Sequence, residues 1–159
     1  MVYVADANIW IDLHNADLLD AVFELPVRWR TPDIVLREVQ TVDHSLLTTL
    51  GLDIRRLPGK ELNRIAALNA RYPRPSTKDL AVLVVADVDN GIIVTGDGPL
   101  RAAAEGEDLE VHGILWILDR LVDESVVQPS RAAAALQAIV SAGSRLPDSL
   151  IQKRLQQWQ

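Results

Sequence analysis

Apolar positions along this chain follow two rhythms, short β-branched runs and longer stripes at helical spacing. Val2, Tyr3, Val4 and Ala5 form an apolar run that stops at Asp6, which predicts a buried first strand. Residues 16–25, ADLLDAVFEL, place Leu18, Leu19, Val22, Phe23 and Leu25 on one helical stripe that Pro26 ends. VRWR follows as a short strand. Thr31-Pro32-Asp33 then reads as a helix start, with Thr at the N-cap, Pro at the first helical position and an acid in the first turn, and that helix is expected to carry Glu38. HSLLTTLG is a helix with Gly51 as its stop, LDIRRLP a strand and KELNRIAALNARY a helix.

The stretch from Ser76 to Gly98, STKDLAVLVVADVDNGIIVTGDG, admits two readings. Asn90-Gly91 between Val-rich runs fits a type I′ hairpin turn. Ser76 with Asp79 three residues on forms a capping-box pattern, and residues 79–89 lack period-2 alternation, so helix, glycine stop and buried strand is the better account. PLRAAAEG then predicts a helix, LEVHG a strand, and GILWILDRLVDE, SRAAAALQAIVSAG and DSLIQKRLQQW three further helices. Strands alternating with helices predict an α/β domain whose parallel sheet is covered on both faces. At 159 residues, with no repeat or linker, one domain spanning 1–159 is expected.

Composition narrows the chemistry. With no Cys, thiolate catalysis, disulfides and sulfur-ligated metals are excluded, and His14, His44 and His112 show no paired ligand spacing. The longest strongly apolar run, LAVLVVA, is far short of the roughly 20 residues of a membrane span, and MVYVADANIW lacks the basic start of a signal peptide; no membrane partner and a soluble, cytoplasmic protein are expected. The net charge of −6 gives the whole molecule no general attraction for nucleic acid, although 13 of the 16 basic residues are Arg, in local pairs such as Arg71 and Arg74. A GC-rich genome would explain the Arg excess equally well.

Function in an open parallel sheet collects at the carboxyl ends of the strands. Asp6 and Asp97 fall there, and Glu38 and Asp79 fall near helix starts that return to the same sheet. Each has a purely structural account: Asp6 as an Asx-turn residue, Asp97 as part of an Asp-Gly turn, Asp79 as the capping-box partner, Glu38 as a solvated helix charge. Glu38 nevertheless lies only about 70° from the centre of its helix's apolar stripe. If the four converge, their repulsion demands a cation, and all-oxygen ligation selects Mg²⁺ or Mn²⁺, one or two ions. Such ions commonly act on phosphates, so the implied chemistry is phosphoester hydrolysis.

DANIWIDL, Glu38 within PDIVLREV, STKDLAVLVVA and VTGDGPLR resemble, in order and spacing, the four blocks of the PIN domain family over residues 1 to about 122. The resemblance implies a three-layer α/β/α domain with a central, mostly parallel sheet, and a Mg²⁺- or Mn²⁺-dependent endoribonuclease. By position, Asp6, Glu38, Asp79 and Asp97 correspond to its catalytic, metal-ligating acids, with Thr95 and Asn8 as supporting polar residues. Many compact members are VapC-type toxins, homodimers inhibited by a small antitoxin, so RNA, an antitoxin and a second copy are the implied partners. The chain differs from common toxins in a helical extension, 129–159, beyond a core of 1–128. A stand-alone RNA-processing nuclease or a non-catalytic PIN-like binding module are the alternatives.

Asp6 and TGDG also resemble fragments of the haloacid dehalogenase phosphatases. Those need a second Asp where this chain has Asn8, and a further Asp where it has Pro99-Leu100-Arg101. A response-regulator receiver would need adjacent N-terminal acids, and no Walker A or GxGxxG pattern occurs. Arg71, Tyr72, Arg74 and Lys78, running into Asp79, are candidate RNA contacts, through phosphate pairing and base stacking, against the alternative of a solvated loop. The apolar surplus of Ile114–Val122 and the Leu and Trp residues of the last helix suggest a homodimer face, or a core helix with the terminal helix docked on its own domain.

Overall fold

The β-branched runs pair into one sheet. In the computed structural model, which describes residues 1–159, the strands are β1 (Val2–Ala5), β2 (Arg28–Pro32), β3 (Asp53–Arg55), β4 (Ile92–Val94) and β5 (Val111–His112). Their order is β3-β2-β1-β4-β5. Tyr3 is in register with Trp29 on one side and Ile92 on the other, and every pairing is parallel, where a mostly parallel sheet was expected. The helices are α1 (Ala7–Asn15), α2 (Leu19–Val22), α3 (Asp33–Leu36), α4 (His44–Leu50), α5 (Gly59–Arg71), α6 (Thr77–Val88), α7 (Gly98–Gly106), α8 (Ile114–Asp123), α9 (Pro129–Ser141) and α10 (Asp148–Trp158).

Helix α6 is buried from Leu80 through Ala86 because it lies across β1, β2 and β4 with α3, α5 and α7 beside it. A helix surrounded in this way is apolar all round rather than striped. The opposite face carries the aromatic layer. Tyr3 and Trp10 each meet Trp29 edge-on, at 5.2 and 5.3 Å, and α1, α2, α8 and α9 close over them. The indoles of Trp29 and Trp10 are both satisfied: Trp29 Nε1 donates to the Val22 carbonyl at 2.9 Å and Trp10 Nε1 to Thr31 Oγ1 at 2.7 Å.

That second bond corrects the expected start of α3. Thr31 does not cap a helix. It sits in β2, fully buried, and its hydroxyl donates to the Ala5 carbonyl at 3.0 Å while accepting from Trp10. A buried hydroxyl gains more from two partners across the sheet than from a solvent-accessible cap. Asp33 instead takes the Ile34 N–H, and α3 stops at Leu36, so Glu38 lies beyond the helix that was expected to carry it. The helix expected over 16–25 shrinks to the single turn of α2, and α1, which no stripe announced, occupies residues 7–15. Gly51, at φ 127°, ends α4 as its position suggested.

The apolar surplus of α8 is spent inside the chain. Ile114, Leu115, Ile117, Leu118 and Leu121 are all buried, with α2 and α9 as neighbours. Helix α10 docks on α9 through Ile151 and Trp158, and Arg154 grips Asp119 of α8 with two bonds of 3.0 and 2.7 Å. Within the chain, the last helix docks on its own domain.

Candidate active site

The chain crosses from β3 to β4 past the central strand, so the direction of winding reverses between β1 and β4. Ligands in open α/β sheets bind at such a switch point, outside the carboxyl ends of the strands. Asp6 follows β1 and Asp97 follows β4, one on each side of it. The Asp6 N–H reaches back to the Val94 carbonyl at 3.3 Å, which fixes the two strand ends against each other.

Each of three acids caps the helix it opens. Asp6 Oδ1 accepts from Ile9 N at 3.1 Å, Asp79 Oδ2 from Ser76 N at 3.0 Å in a complete capping box, and Asp97 Oδ2 from Leu100 N at 2.9 Å. The capping-box account of Asp79 is therefore correct, Asp97 is the N-cap of α7 where an Asp-Gly turn was the alternative, and neither role exhausts its residue. Capping uses one oxygen of each carboxylate and leaves Oδ1 of Asp79 and Oδ1 of Asp97 without a protein donor. It also aims the N-termini of α1, α6 and α7, with their partial positive charge, at one patch.

Thr95 ties the patch together. Fully buried, it donates its hydroxyl to Asp6 Oδ2 and accepts from Asp97 N–H at 3.0 Å. Asp6 is itself only 5% exposed. Burial pushes its carboxyl up to about 6, the bonds from Thr95 and Ile9 pull the other way, and the negative charges of Asp79 and Asp97 push it further up. Asp6, Asp79 and Asp97 are thus close enough to repel, and none of them enters an ion pair.

Glu38 stands apart from this trio. It is exposed on the loop after α3, with Lys78 Nζ at 2.9 Å, so its link to the site runs through the residue that precedes Asp79. Asn8 is exposed on the first turn of α1, facing the cleft beside Asp97. Of the candidate RNA contacts, Arg71 pairs with Glu107 at 3.1 Å, the Tyr72 hydroxyl donates to the same carboxylate at 2.7 Å, and Lys78 holds Glu38. Arg74 alone has no acidic partner. Thr31 is the positioning residue that periodicity did not reveal: by holding the Ala5 carbonyl it fixes the end of β1 next to Asp6.

The donor chemistry fits a hard divalent cation, since three unpaired carboxylates, one of them desolvated, lack any counter-charge from the protein. The geometry is not closed, because no three His, Asp or Glu side chains stand ready around one point. Asp79 and Asp97 would have to turn their free oxygens inward.

The chain belongs to the PIN domain family: the model of the DUF3368 family, a PIN domain, matches residues 2–159. The match includes the residues of α9 and α10. The same fold occurs in the crystal structure of PAE2754 from Pyrobaculum aerophilum, at 17% identity and a TM-score of 0.57, over 77% of this chain and 99% of that one. It occurs also in SSO1118, a PilT N-terminus domain protein from the hyperthermophilic archaeon Sulfolobus solfataricus P2, at 10% identity and a TM-score of 0.53, over 77% and 95%. No curated protein sequence gives a significant match. No helix is long and apolar enough to cross a membrane.

Proposed function

We propose that this PIN domain is a divalent-metal-dependent endoribonuclease that hydrolyses RNA phosphodiester bonds. The observation that carries the reading is the trio Asp6, Asp79 and Asp97: a buried carboxylate at the switch point that feels the charges of two others, none of the three in an ion pair. In this reading Asp6, Asp79 and Asp97 hold Mg²⁺ or Mn²⁺, with Glu38 at the rim joining through its carboxylate once Lys78 is displaced. A bound ion of this kind supplies Lewis acidity, clamping phosphate oxygens and acidifying water.

The chain's own groups do the positioning. Thr95 holds the Asp6 carboxylate in one rotamer, and its bond from Asp97 N–H sets the β4–α7 turn. The N-termini of α1, α6 and α7 favour the negative charge of a phosphate, and Asn8 offers a neutral amide to orient it. Arg74, in the segment that leads into α6 and without an acidic partner, is a candidate phosphate contact. The resemblance to VapC-type proteins further supports a toxin role, with a small antitoxin and a second copy of the chain as partners.

A labelled single-stranded RNA incubated with the purified chain tests this. Cleavage is expected with Mg²⁺ or Mn²⁺, abolished by EDTA, and reduced at least about a hundredfold in Asp97→Asn, as for loss of a group acting on transition-state charge. Full activity of Asp97→Asn, or cleavage that survives EDTA, overturns the reading. Mapping new RNA ends after induction in cells separates a toxin, which arrests growth, from a processing nuclease.

A further inference from the structure

A groove of about 840 Å³ starts beside Asp97 and runs over the face of the sheet that carries α1 and α8. Its volume lies in the range of ligand-binding clefts, roughly 300–1,000 Å³. One wall is α1 and the β4–α7 turn, the floor is the start of α8, and the far wall is the α9–α10 turn, residues 142–147. Ser144 pins that turn to α1 by donating to Asp12, and Arg154 latches α10 to Asp119 of α8. The C-terminal helices thus complete a groove that reaches Asp97 and Thr95 at the edge of the acidic site.

Its lining matches a single nucleic-acid strand. Arg101, half-buried in the same lining as Asp97, donates to the Val111 carbonyl at 3.5 Å and has no acidic partner. Arg145, at the far wall, is exposed and makes no hydrogen bond or ion pair with a side chain. In the same lining His112 lies flat on Trp116, ring centroids 3.9 Å apart and planes within 10°, and Trp116 in turn leans on Tyr3 at 5.3 Å. The His112 side chain is about one-third exposed, at 31%. Two guanidinium groups without acidic partners and an aromatic stack in one groove are a donor set that suits the phosphates and bases of an unpaired strand. Gly96 leaves open space beside Asp97, since a Cβ there would meet nothing within 4 Å.

We infer that this groove holds the single-stranded RNA segment leading away from the scissile phosphate, with Arg101 and Arg145 on successive phosphates and His112 under a base. The α9–α10 hairpin is then part of the substrate site. The inference rests on the nuclease reading for the position of the scissile phosphate, but binding tests it without metal or cleavage.

Fluorescence anisotropy of an end-labelled, unstructured 12-nucleotide RNA, titrated with the full chain in EDTA, is the measurement. Arg145→Gln should weaken binding about fivefold and make the plot of log K against log salt shallower by about 0.7, one phosphate contact to a single strand. His112→Ala should weaken it about tenfold with an unchanged slope, the loss of one stacked base. Arg56→Gln, an exposed charge beyond the opposite sheet edge, should change neither. Arg145 is exposed and makes no hydrogen bond or ion pair, so its variant is expected to fold, and a matching thermal melt checks that. Equal affinity and slope for wild type and Arg145→Gln, or no RNA binding by wild type, overturns the inference. Cleavage in Mn²⁺ with unaltered binding by the groove variants removes the groove and keeps the nuclease. Groove-dependent binding without cleavage in Mg²⁺ or Mn²⁺ does the reverse.

Discussion

Replacing Asp6 by Asn should make the metal-free protein more stable at neutral pH, against the usual direction of a buried-site substitution. The Asp6 carboxyl, ordinarily near 3.8, is pushed to about 6 by burial and by the charges of Asp79 and Asp97. A shift of about two units corresponds to about 3 kcal/mol between the protonated and ionised forms. Because the folded value lies above the unfolded one, the stability is fully present below about pH 3.8. It is lost as pH rises through about 6, so at pH 7.5 the ionised group costs the fold the whole amount. Asn keeps the cap on Ile9 N–H but cannot accept from Thr95 as a carboxylate does, which returns about 1 kcal/mol of the gain. The net is about 2 kcal/mol in favour of Asp6→Asn at pH 7.5, or about 4 to 8 °C in Tm for a chain of this size. Urea melts of both proteins in EDTA at pH 7.5 and pH 4 measure it. The difference between the two proteins isolates Asp6 from the other carboxylates, whose ion pairs weaken in acid with the opposite sign. At pH 4 the advantage should vanish or invert. An Asn variant that is less stable at pH 7.5, or a difference that does not vary with pH, refutes the reasoning.

Mn²⁺ at about a hundred times its Kd should raise wild-type stability by about 2.7 kcal/mol and that of Asp6→Asn by clearly less, read as the shift of the thermal melt on adding the ion; equal shifts rule out Asp6 as a ligand. Asp97→Asn should leave the circular dichroism and Tm nearly unchanged, because Asn caps α7 as well as Asp does, whereas Asp97→Ala should cost about 1 kcal/mol; both should lose cleavage. A chain ending at Pro147 exposes the surface that Ile151 and Trp158 cover and should lose about 3 kcal/mol or more in a urea melt. Light scattering on the full chain at high micromolar concentration tests the proposed homodimer, and a monomer refutes it.

Much of the fold could be read from local pattern. The capping box at Ser76 and Asp79, the Gly51 stop and the β-branched runs of β1 and β4 each name their element with residues a few positions apart, because a helix end or a strand is settled by neighbouring backbone. The order of acidic blocks named the family on the same footing. What failed locally failed for a tertiary reason. Thr31 looks like a cap in sequence, but its hydroxyl joins residues 26 and 21 positions away. Glu38 looks like a helix residue, but its helix ends at Leu36 and its partner Lys78 is 40 residues on. The apolar residues of α8 looked like spare surface for a dimer until α2 and α9 covered them within the chain.

The site divides the same way. Sequence by itself put Asp6 and Asp97 at strand ends and Glu38 and Asp79 near helix starts, and so offered all four as candidates before any geometry. Only the tertiary structure decided that Asp6 feels the charges of Asp79 and Asp97 while Glu38 stays at the rim, that Thr95 reaches across 89 residues to hold Asp6, and that the turn after α9 faces the same cleft. Periodicity reports which face of an element is buried, and it has no term for which distant element arrives there. That is set by the crossover between β3 and β4, where the reversal of winding leaves the gap that the acids surround.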